Sequence, residues 1–181
     1  MLGGKMKRLK FYQIIILLIS VVIVIYLFIT NPFQKTLVFQ PKQSNAKPAY
    51  IPLKDETKFQ IKYTHSIHLT DVVESYKIIN QNQIQQYELM YEDFAIGMPS
   101  DAGQGETFEQ IDGKYFIKNM KRIFPFFDLR IGQVRANHRV IFNNKEYPLS
   151  QFIEPGTLVR VEIQKLSFFQ QWKGVNILES F

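Results

Sequence analysis

Two of the three histidines lie three residues apart, in the stretch YTHSIHLTDVVESY from Tyr63 to Tyr76. An H-x-x-H pair beside acidic residues can bind a metal ion when one helical turn presents both rings to the same side. The alternation of apolar and polar residues predicts a strand here instead, so His65 and His68 would face opposite ways. The sequence therefore predicts no metal site.

The same alternation points to a second kind of site. Phe59, Ile61 and Tyr63 share one parity, and His65 follows them onto the inward face of the strand. Glu74 has the inward parity of the next strand. A buried carboxylate needs a partner, so a tight hairpin would predict a hydrogen bond between His65 and Glu74.

This pair has two interpretations. It is either a satisfied polar pair in a small core or the wall of a pocket, where a carboxylate-oriented imidazole binds an anion or a carbonyl group, or acts as a base. Tyr63 and Tyr76 are expected near enough to join it. A Ser–His–acid triad is not expected, because Ser66 points away from His65 and no G-x-S-x-G elbow occurs.

A glycine-containing loop is the other chemical candidate. The stretch IGMPSDAGQGE, residues 96–106, lacks the lysine and the helix of a phosphate-binding loop. It is either a long connection between strands or a lid over a pocket. Asp101 and Glu106 lack the alternating spacing of a calcium loop, and no cofactor is predicted.

The elements that position these residues begin with a membrane anchor. Residues 11–29, FYQIIILLISVVIVIYLFI, carry no charge and would span about 28 Å as a helix. The first ten residues contain no acid and four bases, Lys5, Lys7, Arg8 and Lys10. The positive-inside rule predicts residues 1–10 in the cytoplasm and the rest of the chain outside, as a single-pass protein of the cell membrane. No A-x-A-like site follows the span, which favours an uncleaved signal anchor over a cleaved signal peptide.

The remaining composition excludes several classes. The chain has 22 basic and 16 acidic residues, and 18 basic residues remain once the four before the span are set aside. No basic stripe is visible, so no nucleic-acid binding is predicted. The chain contains no cysteine, so its outer domain must be held by a hydrophobic core without disulfides.

After the span, residues 30–56 contain four prolines and predict an extracytoplasmic stalk, within which KTLVF is either part of the stalk or a short edge strand. Residues 57–181 predict one all-β extracytoplasmic domain of about eight strands, a single β-sandwich or a partly open barrel. Hairpin-type turns are expected at Asp112-Gly113, Asn143-Asn144 and Pro155-Gly156. Strands are expected at residues 58–69, 72–79, 84–93, 107–111, 114–120, 128–136, 139–142 and 158–166.

The aromatic tail SFFQQWKGVNILESF has two interpretations. It is either a closing strand that completes the core or a surface that contacts the membrane or a partner. In the second case Phe168, Phe169 and Trp172 would make the contact.

Several of these pieces, in order, resemble one family. The segments YTHSIHLTDVVESYKI, GMP, DGKYF and PGTLVRVEI are similar to the DUF1850 family of small bacterial proteins over residues 59–164. The resemblance implies that His65, Ser66, Glu74, Gly97 and Pro99 are motif residues, without assigned roles. It also implies an association with TAXI-type TRAP transporters, which import carboxylate-like solutes with an extracytoplasmic receptor.

These observations favour a membrane-anchored extracytoplasmic binding or accessory module, with transporter subunits or a solute receptor of a TRAP-type uptake system as expected partners. The alternatives are an envelope structural or interaction domain without a ligand, and a hydrolase or isomerase that uses the His–Glu pair. An enzyme is the less favoured reading, because no nucleophile accompanies the pair. The expected pocket residues are Tyr63, His65, Ser66, Glu74, Tyr76, Gly97, Met98 and Pro99.

Overall fold

A long apolar helix opens the chain. The computed structural model describes residues 2–43, 45–80, 82–93, 99–133 and 135–179, with side chains from Lys10 onward. Helix α1 (Leu2–Thr30) contains the segment Lys10–Thr30, which is long and apolar enough to cross a membrane. Its apolar side chains are exposed on all sides, as in a helix that faces lipid. The helix fits a membrane-anchored β domain.

The rest of the described chain is mainly β-structure. It contains twelve strands and one short α-helix, α2 (Phe168–Lys173). The strands are β1 (Gln34–Pro41), β2 (Ala49–Pro52), β3 (Lys58–Thr64), β4 (Asp71–Ile79), β5 (Gln83–Tyr91), β6 (Thr107–Ile111), β7 (Lys114–Phe124), β8 (Phe126–Arg130), β9 (Arg139–Phe142), β10 (Lys145–Pro148), β11 (Leu158–Leu166) and β12 (Val175–Asn176).

The strands form two sheets that pack face to face. One sheet has five strands in the order β12-β2-β1-β11-β8, and the other has seven in the order β10-β9-β3-β4-β5-β7-β6. Neighbours are antiparallel except for β12 beside β2. Side chains from both sheets share the main core, so the predicted all-β sandwich is confirmed, and within the described residues neither sheet closes into a barrel.

Turn chemistry sets several of these strands. Asp112 and Gly113 both have positive φ in the β6–β7 hairpin, as do Asn143 and Asn144 in the β9–β10 hairpin. Positive φ at both central residues matches the right-handed twist of the paired strands, which explains the Asp-Gly and Asn-Asn dipeptides. Gly156, with φ of +91°, turns the chain into β11. All three predicted turns are present.

The predicted stalk is wrong. Within residues 30–56, strand β1 lies between β2 and β11 in the five-stranded sheet. Leu37 and Phe39 are fully buried in the main core, and Val38 is buried on the opposite face. The prolines do not interrupt the sheet because Pro41 and Pro52 are the last residues of their strands. The β-structure therefore begins at Gln34, four residues after the end of α1.

The aromatic tail combines features of both interpretations. Its second half closes the sandwich: β12 pairs with β2, and Ile177 is fully buried in the main core. Its first half is α2, in which no residue is buried. Phe168, Phe169 and Trp172 are all exposed there.

Candidate functional site

Glu74 lies on the core face of β4. Among the described residues of this strand, it is the only carboxylate on that face. Its cross-strand neighbours are Ile61 on β3 and Leu89 on β5, both buried aliphatic side chains. Val72 and Tyr76 flank it on the same face, because successive side chains alternate between the two faces of a strand. The predicted inward orientation of Glu74 is correct.

Burial changes the protonation of Glu74. Desolvation raises the pKa of its carboxyl group, while a hydrogen bond from the Tyr76 hydroxyl and the charge of Arg122 act in the opposite direction. The Tyr76 hydroxyl donates to Glu74 Oε2 at 2.7 Å. Burial and the neighbouring carboxylate also raise the pKa of Tyr76. Glu74 can therefore stay protonated at pH values at which an exposed glutamate is ionised.

Stacked aromatic rings form one wall beside Glu74. The ring of Tyr76 lies between those of Phe59, at 5.2 Å, and Phe127, at 4.9 Å, in nearly parallel planes. Phe127 comes from β8, the edge strand of the opposite sheet, which the chain enters through Pro125 directly after β7. Phe124 contacts Phe127 edge-on, so this wall forms where the chain crosses between the sheets.

The third histidine forms the other end of the site. His138 is buried, and its ring stacks on Tyr63 at 5.2 Å. The backbone N–H of Gly132 donates to His138 Nδ1 at 3.0 Å, so the neutral ring carries its proton on Nε2. Burial lowers the pKa of His138. Burial and Glu74 raise the pKa of Tyr63 to about 12. Both groups are therefore neutral hydrogen-bond donors near pH 7.

A β-bulge in β5 brings Gln86 onto the core face of the sheet, where Glu74 lies. Tyr87 has no register partner on β4 or on β7, and the inward parity changes from Ile84 and Gln86 before it to Leu89 after it. Gln86 is only 7% exposed. Its amide makes no hydrogen bond within the part of the chain that the structure describes, and it lines a cleft rather than a closed void.

These groups surround one cleft of about 470 Å³. The cleft lies under β8, at the edge of the five-stranded sheet, and the exposed side chains of Asp128 and Arg130 lie at its rim. Its lining residues are Tyr63, Glu74, Tyr76, Gln86, Phe124, Phe127, Asp128, Leu129, Arg130 and His138. A volume of this size is within the range of small-molecule sites, and the lining combines aromatic rings with several polar and charged groups.

Three of the predicted pocket residues meet here, and His65 does not. Tyr63, Glu74 and Tyr76 line the cleft, but β3 ends at Thr64, one residue before His65. The connection to β4 spans residues 65–70 instead of two residues, and Glu74 lies three residues inside β4, about 10 Å further along the sheet. The predicted hydrogen bond between His65 and Glu74 is therefore wrong.

The two histidines of the H-x-x-H stretch lie in a turn and not on a strand. The N–H of Leu69 donates to the carbonyl of His65, and the rings of His65 and His68 are 5.9 Å apart. Ser66 is exposed in the same turn, outside the cleft. In the described ranges, no group of three or more His, Asp or Glu side chains is arranged to hold a metal ion.

The glycine-containing loop is only partly described. Gly97 and Met98 lie outside the described residues. The carbonyl of Pro99 accepts a hydrogen bond from the hydroxyl of Tyr91, in a second apolar cluster beside the cleft. Glu106 accepts from the backbone of Gly103 at 2.9 Å and pairs with Arg122. In the described part of this loop, the polar groups hold the loop onto the sheet.

Sequence reasoning missed seven of the ten residues that line the cleft, among them the polar residues His138 and Gln86. His138 could have been predicted, because it lies two residues before Val140 and so shares the inward parity of β9. Gln86 could not have been predicted. Nothing in QIQQYELMY indicates the one-residue bulge at Tyr87, and this bulge determines which face of the sheet Gln86 occupies.

Comparison with known proteins gives a family and no assigned role. No curated protein and no solved structure matches the chain. A family model described as a domain of unknown function, DUF1850, matches residues 59–149, just over half of the 181 residues. The match runs from the second residue of β3 to beyond β10 and includes every residue that lines the cleft. The chain belongs to the DUF1850 family.

Proposed function

We propose that this chain is a membrane-anchored binding module whose cleft takes a small solute bearing a carboxylate or carbonyl group. Gln86 carries the proposal. Its amide makes no hydrogen bond within the described residues, and its polar atoms are not sealed off from solvent, so they are open to a partner in the cleft. A ligand that pairs with the amide explains why a glutamine occupies the wall of an open cleft.

The other polar groups favour an acceptor on the ligand. Tyr63 Oη and His138 Nε2 both carry a proton and have no hydrogen-bond partner among the described residues. With the amide of Gln86, they supply donors along one wall. Glu74 would repel a carboxylate when ionised, but its raised pKa allows it to be protonated and to donate as well.

The aromatic rings favour an apolar body on the ligand. The faces and edges of Tyr76, Phe124 and Phe127 offer a surface on which a flat or aliphatic group can pack. The cleft is distant from α1. Phe127 on β8 and Phe39 on β1 pair with the same residue of β11, so they lie at the same level, and Phe39 is five residues along β1 from Gln34. At strand spacing this is about 17 Å along the sheet from the start of β1. A dissolved solute could therefore reach the cleft from water.

The binding test uses benzoate as the probe, with benzamide as the neutral carbonyl analogue, on the full chain in detergent by isothermal titration calorimetry. We expect saturable benzoate binding that weakens at least about tenfold in Gln86→Leu, the loss typical of one buried polar contact. Gln43→Leu, an exposed change in the loop after β1, is the matched control. Binding of neither probe, or binding indifferent to Gln86→Leu, would contradict the proposal.

Protonation of Glu74 gives a second test at the same site. Benzoate should bind more tightly as pH falls through the raised pKa of Glu74, because the repelling carboxylate becomes a donor. Glu74→Gln should remove this pH dependence and bind benzoate at neutral pH at least as tightly as the parent chain. Benzamide binding should change little with pH in both proteins.

The finer role we propose is that of an accessory module of a TRAP-type carboxylate uptake system. The family resemblance suggests it, and a carboxylate-binding cleft is consistent with it. The test is a crosslinked pull-down of the tagged full chain from its native membranes. Enrichment of transporter subunits or of a solute receptor supports this role, and recovery of the chain alone under conditions that preserve membrane complexes contradicts it.

The proposed topology places residues 1–10 in the cytoplasm and the β domain outside. The chain has no cysteine, so single introduced cysteines report orientation without background. Ser150→Cys, at an exposed site, should react with a membrane-impermeant maleimide on intact spheroplasts, and Gly3→Cys should react only after lysis. The reverse pattern would invert the topology and remove an extracytoplasmic role.

The two alternatives make different predictions. An envelope interaction domain without a ligand requires Gln86→Leu to leave every function unchanged. A hydrolase or isomerase was expected to use a His65–Glu74 pair, and the structure places His65 in a turn outside the cleft. We therefore favour the binding module.

A further inference from the structure

The short helix α2 presents three exposed aromatic side chains beside the end of α1. Phe168 is 44% exposed, Phe169 42% and Trp172 80%. Their spacing of one and four residues places them along one side of the helix. Exposed tryptophan and phenylalanine side chains this close together are unusual on a surface that faces only water.

The position of α2 relative to α1 identifies what covers this surface. The ring of Phe168 lies 5.3 Å from that of Phe28, in the last turns of the apolar segment, and 4.4 Å from that of Phe33, just beyond it. The segment Lys10–Thr30 would span about 31 Å, close to the thickness of a bilayer core. A residue in contact with Phe28 and Phe33 then lies at the boundary between hydrocarbon and headgroups.

The aromatic groups at this end of α1 form a belt. Tyr26, Phe28, Phe33, Phe168, Phe169 and Trp172 are all exposed. Amphipathic aromatic rings concentrate at this depth in membrane proteins. Lys173 lies with its Nζ 4.2 Å above the ring of Phe169, and a lysine at this depth can extend its charge toward lipid phosphates.

Both ends of α2 are held in place, so its aromatic side has a defined direction. Ser167 and Gln170 form a capping box, in which Ser167 N donates to Gln170 Oε1 at 2.8 Å and Gln170 N donates to Ser167 Oγ at 3.2 Å. After Gly174, the N–H of Val175 donates to the carbonyl of Pro48, and β12 begins. The helix is therefore fastened to the five-stranded sheet at both of its ends.

We propose that α2 is an interfacial foot: Phe168, Phe169 and Trp172 insert into the headgroup region of the bilayer that holds α1 and orient the β domain on the membrane. In this orientation β1 runs away from the bilayer. The turn at residues 65–70 and the His138 end of the cleft lie at the far end, and the turn at Asn80 lies near the membrane, where Lys35 contacts its carbonyl.

The test uses the single tryptophan of the chain, Trp172. The full chain is reconstituted into phosphatidylcholine and phosphatidylglycerol vesicles, and flotation first establishes that it inserts through α1. Trp172 fluorescence is then measured in lipids brominated near the carboxyl end or near the middle of the acyl chains, and with iodide in the water. We expect stronger quenching by the shallow bromines than by the deep ones, and little quenching by iodide, as for interfacial aromatics.

The matched control moves the reporter to the far end of the domain. Ile67 is 63% exposed in the turn at residues 65–70. In the double variant Trp172→Phe with Ile67→Trp, iodide should quench the emission, and brominated lipids should not.

Three results would overturn the proposal. The first is failure of the chain to float with vesicles. The second is quenching of Trp172 by iodide but not by brominated lipid, which places α2 in water. The third is protection of Trp172 from both quenchers, which indicates a contact with protein, such as a second copy of the chain. The outcome is independent of the benzoate assay, so failure here leaves the proposed cleft function standing.

Discussion

The hydroxyl of Tyr76 donates a 2.7 Å hydrogen bond to Oε2 of Glu74, the residue two positions earlier on the same face of β4. This bond takes the place of the expected one from His65. The ring of Tyr76 is itself fixed between Phe59 and Phe127, so the hydroxyl has little freedom to leave. One aromatic side chain thus joins the polar centre of the cleft to the main core.

The first prediction concerns the charge on Glu74. The pKa of this carboxyl group is higher in the folded than in the unfolded chain, because burial disfavours the ionised form. The folded state therefore binds more protons between the two pKa values. Its contribution to stability is full below the unfolded pKa, about pH 4, and is lost as pH rises through the folded pKa.

Glu74→Gln removes this titration and keeps an oxygen that can accept from Tyr76. We expect its melting temperature to exceed that of the parent chain by a few degrees at about pH 8 and to approach it at about pH 4. Circular dichroism of the full chain in detergent measures both. Glu154→Gln, at an exposed site, is the control and should show no such difference. A lower melting temperature for Glu74→Gln at the higher pH would show that the buried charge is stabilising.

The second prediction concerns His138, where the sign is reversed. Burial holds its pKa below the ordinary value, and protonation of Nδ1 would break the bond from Gly132. The unfolded chain therefore binds more protons at mildly acid pH. Stability is full above about pH 6.5 and is lost as pH falls through the folded pKa.

His138→Gln keeps an acceptor for Gly132 and removes the titration. We expect the parent chain to lose stability between about pH 7 and about pH 5 by an amount that the variant does not lose, measured as urea midpoints. The exposed change His68→Gln should leave the loss unchanged. An equal fall in His138→Gln would assign the pH dependence to other groups.

How far sequence predicted the site depended on regular alternation. Where β3, β4 and β9 alternate without interruption, parity placed Tyr63, Glu74 and Tyr76 correctly and would have placed His138. It failed for His65, because hydrophobic Ile67 and Leu69 continued the pattern into a turn in which both are exposed. Alternation shows which residues could share a face, and only chain pairing shows where a strand stops.

The fold shows the same limit for buried strands. The run KTLVF in β1 is buried on both faces, so it carries no alternation, and the nearby prolines suggested an extended stalk. The bulge at Tyr87 likewise depends on the match between β5 and its two neighbours. Both features follow from packing between segments far apart in the chain.

The third prediction tests whether β1 belongs to the core. Phe39 is fully buried between the two sheets, and truncation of a buried phenylalanine leaves a large cavity. We expect Phe39→Ala to lower the free energy of unfolding by about 3–5 kcal/mol. Gln43→Ala, four residues further along and exposed, should change it by no more than about 0.5 kcal/mol. Equal stability of the two variants, by urea unfolding in detergent, would restore the stalk.

The last prediction separates the residue that sequence favoured from one that the structure supports. His65 is in a turn, where its ring accepts only a long 3.4 Å contact from the N–H of Ile67, so His65→Ala should cost no more than about 0.5 kcal/mol. It should also leave benzoate binding unchanged, since His65 lies outside the cleft.

Tyr63→Phe is the matched comparison, because it keeps the ring that stacks on His138 and removes only the hydroxyl that faces the cleft. We expect the melting temperature of this variant to stay near that of the parent chain while benzoate binds roughly fivefold to tenfold more weakly, the loss expected for one neutral hydrogen bond. Calorimetry on both variants measures the change in benzoate affinity. A loss of binding in His65→Ala with none in Tyr63→Phe would move the site from the cleft to the turn at residues 65–70.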